Sequence, residues 1–306
     1  MAAACMARGL DTAGATLLSH SSNAVYHLPG VGETGAVARI TTGADSLARV
    51  QRTQAVTTWL VSQHDYPATA PLPDVAPVVV DATTMVSWWI YYPQPDRPAP
   101  TSIEMGRVLR KLHDIDHPPA DIELPQWTPL ESLDATIDDP HLSTALNDDD
   151  RAWLEHRIEQ IRHQLDGLDW PLGSGLIHGD AWAGNLLWDT ARTPAPAVLG
   201  DWDWVSIGPR EVDLIPTWHA TIRYGRPAEW ATSFAAEYGY DLSAWPGFDL
   251  LLQMRDLVQV TGPMRRAPRS DRYAAAFRQR LGDIRAGDRM SSWRMPTAPG
   301  SGAVPG

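Results

Sequence analysis

Cysteine and lysine are almost missing from this chain: Cys5 and Lys111 stand alone among 306 residues. One thiol excludes an internal disulfide framework and any metal site built from cysteines. No apolar run approaches the ~18 residues that a membrane-crossing helix needs. The balance of 37 acidic against 25 basic side chains gives a net charge of −12, with no basic stripe for a nucleic-acid backbone. There is no Walker loop, no internal repeat, and no acidic residue anywhere between Asp45 and Asp65. The ordinary part is the bulk composition: 43% apolar and 20% charged residues suit a globular protein with one large core or two lobes.

What is present concentrates in residues 176–214, LIHGDAWAGNLLWDTARTPAPAVLGDWDWVSIGPREVDL. The apolar runs 176–177, 186–188 and 198–199 are too short for helices and are bounded by glycine or proline, which predicts small strands. That spacing puts Asp180 and Asn185 on one loop and Asp201 just past the next strand. Singly, each suits a turn or a strand end. Together they suit phosphoryl transfer, in which one carboxylate orients an attacking hydroxyl and accepts its proton. A second carboxylate and an amide oxygen then hold Mg²⁺ against nucleotide phosphates. Asp180 fits the first role, and Asn185 with Asp201 the second.

The order H-G-D-x-x-x-x-N, G-D-W-D and G-P-R-E-x-D-L resembles the aminoglycoside phosphotransferase / choline kinase family. The resemblance covers roughly residues 16–286, with sharp motifs only in 177–214. It implies a two-lobed, protein-kinase-like α+β fold: an N-terminal antiparallel sheet with one helix, then a larger, mainly helical C-terminal lobe. The expected division is 1–92 and 93–290, and the Pro/Gly/Ser-rich composition of 291–306 predicts a disordered tail. Asp180 would be the catalytic base, and Asn185 and Asp201 would hold the metal. His178 and Asp213 would brace the catalytic loop. The implied cofactors are ATP and Mg²⁺. The implied acceptor is a small molecule with a hydroxyl, with an antibiotic such as an aminoglycoside or an amino sugar as the first reading. Neither a nucleic acid nor a membrane is an expected partner. The opening residues lack the charged-then-apolar order of a secretion signal, so a cytoplasmic enzyme is expected.

Upstream, strands are predicted over 16–19, 25–28 and 37–40. Ser21 and Ser22, between the first two, resemble the family's nucleotide-positioning loop and can offer donors to phosphate; a plain hairpin turn explains them equally well. Arg39 falls where kinases carry the phosphate-binding lysine, and its guanidinium can contact phosphates bidentately. Helical spacing predicts a helix over 45–63 with Asp45 as N-cap. Thr53 stands where the family has the glutamate that pairs with the phosphate-binding base. Either another group, with Gln54 a candidate, holds Arg39, or nucleotide binding is weakened.

Strands over 78–80 and 85–92 follow, and the resemblance puts the adenine-binding backbone near Trp89 and Tyr91, whose rings suit core packing equally well. Thr101-Ser102-Ile103-Glu104 is a capping-box signature opening a helix to Ile115, and His113 reads as a residue of its end. Further helices are expected over 130–137, 151–165, 213–224, 227–238, 247–260 and 271–286. Two rival readings accompany the kinase. One is a nucleotide-binding pseudokinase, motivated by the missing helix acid. The other is a metal-dependent phosphoesterase built on His178, Asp180, Asp201 and Asp203. The charge of −12 suits a cationic substrate through steering, and equally suits solubility alone.

Overall fold

The computed structural model describes residues 1–20, 23–43 and 45–294. The chain divides into two compact units, Met1–Pro125 with Gly175–Ile207, and Gln126–Ser174 with Gly208 onward. Together they make the expected α+β protein, an N-terminal antiparallel sheet and a helical C-terminal part.

The first unit opens with a short helix, α1 (Ala2–Met6), that sequence patterning does not reveal. Five residues are too few to hold a helix alone. Ala4 and Cys5 are buried against Leu28, Ala38, Val86 and Trp88, so the sheet's core face holds it. The sheet runs β1 (Thr16–His20), β2 (Ala24–Leu28), β3 (Ala36–Thr42), β4 (Val78–Asp81) and β5 (Thr84–Ile90), in the spatial order β1-β2-β3-β5-β4. Ala38 pairs with Trp88 and Tyr26 on the core face; Arg39 pairs with Ser87 and Val25 on the other. α2 (Ser46–His64) packs against β3 and β5. Asp45 occupies its N-cap position without a side-chain capping bond.

α3 (Ser102–His113) begins with the full capping box. Thr101 Oγ1 accepts from the Ile103 amide at 3.3 Å, and the Thr101 amide donates to Glu104 Oε2 at 2.7 Å. His113 is buried at its end. The returning segment contributes β6 (Ser174–Ile177), β7 (Leu186–Trp188), β8 (Ala197–Leu199) and β9 (Ser206–Pro209); β7 pairs with β8 and β6 with β9. The link after α2 is tied in by backbone bonds: Leu199 N donates to Pro67 O at 2.7 Å and Thr69 N to Leu199 O at 2.9 Å.

The second unit is helical: α4 (Glu131–Asp138), α5 (Asp148–Asp166), α6 (Glu211–Arg223), α7 (Ala228–Tyr238), α8 (Phe248–Arg266) and α9 (Asp271–Arg285). α8 packs against α4, α5, α6 and α9 and buries Leu251, Met254, Leu257, Val260 and Met264. The α5 N-cap is Asn147, which accepts from the Asp150 amide; Asp148–Asp150 fill the first turn, where Arg285 pairs with Asp149 at 2.8 Å and with Asp150. Trp293 is buried, although it lies in the stretch expected to be disordered. Its amide donates to Arg223 O, and guanidinium groups of Arg223 and Arg280 lie over its ring at 4.3 and 5.3 Å. Among the described residues no helix is long and apolar enough to cross a membrane.

Candidate active site

Arg39, His178, Asp180, Asn185, Asp201 and Asp203 all belong to the first unit. Buried Leu176 and Ile177 end β6 and deliver His178 into the interior, fully buried. Gly179 follows with φ +83, and a Cβ there would sit 2.3 Å from the Trp204 carbonyl oxygen. Only glycine permits both that backbone and that approach.

A small hydrogen-bond frame then holds the carboxylate-bearing turns. The Asp180 amide donates to His178 Nδ1 at 3.3 Å, so the ring proton sits on Nε2, which donates to Gly200 O at 2.9 Å. Both ring nitrogens are thereby spent on backbone, and the metal-ligand role required by the phosphoesterase reading needs one of them. Asn185 Nδ2 donates to Asp180 O at 2.9 Å, while Asn185 O accepts the Gly200 amide at 2.8 Å. This leaves Asn185 Oδ1 as an acceptor. Asp201, next to Gly200, adopts a left-handed backbone (φ 62) and keeps its side chain half exposed. Behind it, Trp202 is buried edge-on to His178 and Tyr66, with its indole N–H on Leu199 O at 2.8 Å.

Arg39 reaches this turn from β3. Its Nη2 donates to Asp201 Oδ1 at 2.8 Å and to Asp203 Oδ2 at 2.7 Å. The group that holds Arg39 is therefore a pair of aspartates from the 201–203 turn, not Gln54. Asp203 Oδ2 also accepts from Asn23 Nδ2 at 3.2 Å. In the sequence Asp203 enters only through the phosphoesterase alternative, and Asn23 only as a donor of the turn before β2 that can face phosphate; the G-D-W-D spacing is the available signal. Thr53 directs its hydroxyl to Trp202 O at 3.4 Å.

The remaining expected residues are placed as follows. Ser21 and Ser22 lie outside the described residues. Trp89 is buried with its indole N–H on Ser87 Oγ at 3.0 Å, so it supports the strand rather than offering a free ring. Tyr91 stacks on His27 with ring centroids 4.0 Å apart. Asp213 is fully buried in the first turn of α6, in the second unit. Trp182 and Trp204 remain 42% exposed. They flank the Asp180 loop: the Trp182 ring lies over Gly184, and Trp204 lies against Gly179.

A kinase-like sheet, a loop holding an aspartate and an asparagine, and a second aspartate after a short hairpin define a small-molecule phosphotransferase architecture. The chain belongs to the phosphotransferase enzyme family, whose model matches residues 14–251. Among solved structures it is similar to a microcompartment-associated aminopropanol kinase, at 18% identity and TM-score 0.68, over 97% of this chain and 99% of that one. It is also similar to amicoumacin kinase hAmiN in complex with AMP-PNP, Ca²⁺ and Ami, at 14% identity and TM-score 0.67, over 93% and 92%. A Streptomyces rimosus aminoglycoside phosphotransferase in complex with ADP and streptomycin matches at 18% identity and TM-score 0.56, over 84% and 96%. At these identities the likeness is one of fold. Among curated proteins, no sequence matches.

Proposed function

We propose that the chain transfers the γ-phosphoryl group of ATP to a hydroxyl of a small molecule, with Asp180 as base and Asn185 and Asp201 holding Mg²⁺. The observation that carries this reading is the frame joining Asp180, Asn185 and Gly200–Asp201 through three hydrogen bonds of 2.8–2.9 Å and one of 3.3 Å. Asn185 Oδ1 and the exposed Asp201 carboxylate are a two-oxygen set, and Mg²⁺ takes one or two such protein ligands plus substrate phosphates. Bound there, the metal supplies charge neutralisation at the phosphates. Arg39 brings a second cation, and its Nε is buried without a hydrogen-bond partner. Asp180 orients the acceptor hydroxyl and takes its proton as the new O–P bond forms and the bond to the ADP leaving oxygen breaks. Catalysis on this reading is positioning and electrostatics.

The acceptor reading is an antibiotic or amino sugar. Its support is the net charge of −12 together with the exposed indole faces of Trp182 and Trp204 beside Asp180. Indole faces take the C–H face of a sugar ring or an ammonium group. The test is an acceptor panel scored by ATP consumption and by the mass of an added phosphate, with Asp180→Asn as control. Product formation by the wild type and not by the variant is expected. Measured ATP affinity without turnover across a broad panel would favour the nucleotide-binding reading instead.

A further inference from the structure

α2 has no carboxylate to offer Arg39, yet Arg39 is not loose. A single nitrogen, Nη2, bridges two carboxylates at 2.7 and 2.8 Å. The two are not equivalent. The Asp203 side chain is 12% exposed and is bonded a second time by Asn23, itself buried; the Asp201 side chain is 50% exposed. A carboxylate that is buried and bonded twice has a fixed direction, whereas an exposed one can turn to another cation. Thr53, at the helix position in question, already spends its hydroxyl on the Trp202 carbonyl.

We propose that Asp203 is the positioning carboxylate for Arg39, standing in for the acid that α2 lacks and leaving Asp201 to the metal. The inference rests on the phosphotransfer reading for the purpose Arg39 serves. It adds a turn residue as the fixed end of the pair, with Asn23, just before β2, as the brace that holds Asp203. Because the partner comes from the same turn as Asp201, the placement of Arg39 is tied to that turn and not to α2.

The test is the affinity for Mg·AMP-PNP by calorimetry in a double-variant cycle, alongside thermal unfolding of the nucleotide-free protein. Asp203→Asn and Arg39→Ala should each weaken binding about ten- to a hundredfold, as loss of a hydrogen bond between charged groups does. The double variant should bind no worse than Arg39→Ala alone. Wild-type affinity in Asp203→Asn, or losses that multiply in the double variant, would overturn the assignment. Should Asp203→Asn not fold, Asn23→Ala loosens the same carboxylate: a smaller loss in the same direction supports the role, and no loss counts against it. If the wild type binds no Mg·AMP-PNP, the phosphotransfer reading fails. The unfolding cycle then still decides whether Asp203 holds Arg39: non-additive Tm shifts sustain that hold, and additive ones refute it.

Discussion

At the scale of single residues, the candidate site separates groups that bind from groups that react. On the proposed reading Asp180→Asn keeps the loop geometry but removes the proton acceptor. Its kcat should fall about 10²–10⁴-fold, the usual worth of a general base, with KM for ATP little changed in steady-state assays. Asp203→Asn should show the converse split, a raised KM for ATP exceeding its effect on kcat. Thr53→Glu added to Asp203→Asn returns a carboxylate to α2 and should recover part of the lost Mg·AMP-PNP affinity. Trp204→Ala should raise the acceptor KM and leave ATP binding unchanged. Asp180, Asn185 and Asp201 were legible in the sequence because they sit within one short stretch whose spacing is itself a motif. The bond from Arg39 to Asp203 was not, because it joins residues 164 apart in the chain, and no local pattern records such a pairing.

At the scale of elements, most strands and helices follow from patterning that the chain carries openly. The capping box at Thr101 is one case, and Thr101→Ala should cost α3 about 1 kcal/mol of stability in chemical denaturation, as lost N-caps do. Elements that depend on tertiary burial were hidden. α1 exists because Ala4 and Cys5 reach the sheet's core face, and α8 continues past Val260 to Arg266 although Pro263 lies inside it. Trp293 is the same kind of case: a Pro/Gly/Ser-rich neighbourhood suggests a loose chain, while the cation–π contacts from Arg223 and Arg280 make it a packed one. Trp293→Ala removes a buried indole that two guanidinium groups contact and should cost about 3–5 kcal/mol, read as a lowered denaturation midpoint.

At the scale of the whole molecule, acid response and salt response are set by different charges. His219, buried on α6, has its pKa pushed by burial from the ordinary 6.5 down to about 4, against the opposing bond to Asp256 at 2.9 Å. The unfolded chain therefore takes up a proton that the folded chain refuses, and stability should fall as pH drops from about 6.5 towards 4, by on the order of 3 kcal/mol. For Asp256 burial acts upward, but the bonds from His219 and Arg223 prevail and hold its pKa below the ordinary carboxylate value. Its contribution is present above that value and is lost as pH falls through the folded pKa, a second step at lower pH. His219→Gln should flatten the first step in urea midpoints measured across pH 4–7. The surplus of acids acts at longer range: a cationic acceptor should show a KM that rises with added NaCl, and a neutral one should not. The first unit is also assembled from two separate lengths of chain, Met1–Pro125 and Gly175–Ile207. A fragment cut after Pro125 would thus leave Arg39 without Asp201 and Asp203 and the Pro67–Thr69 backbone without its bonds to Leu199. During synthesis on the ribosome the sheet's strands emerge well before the segment that completes this unit, so an N-terminal piece ending at Pro125 should be less stable to denaturant than the same unit in the whole chain.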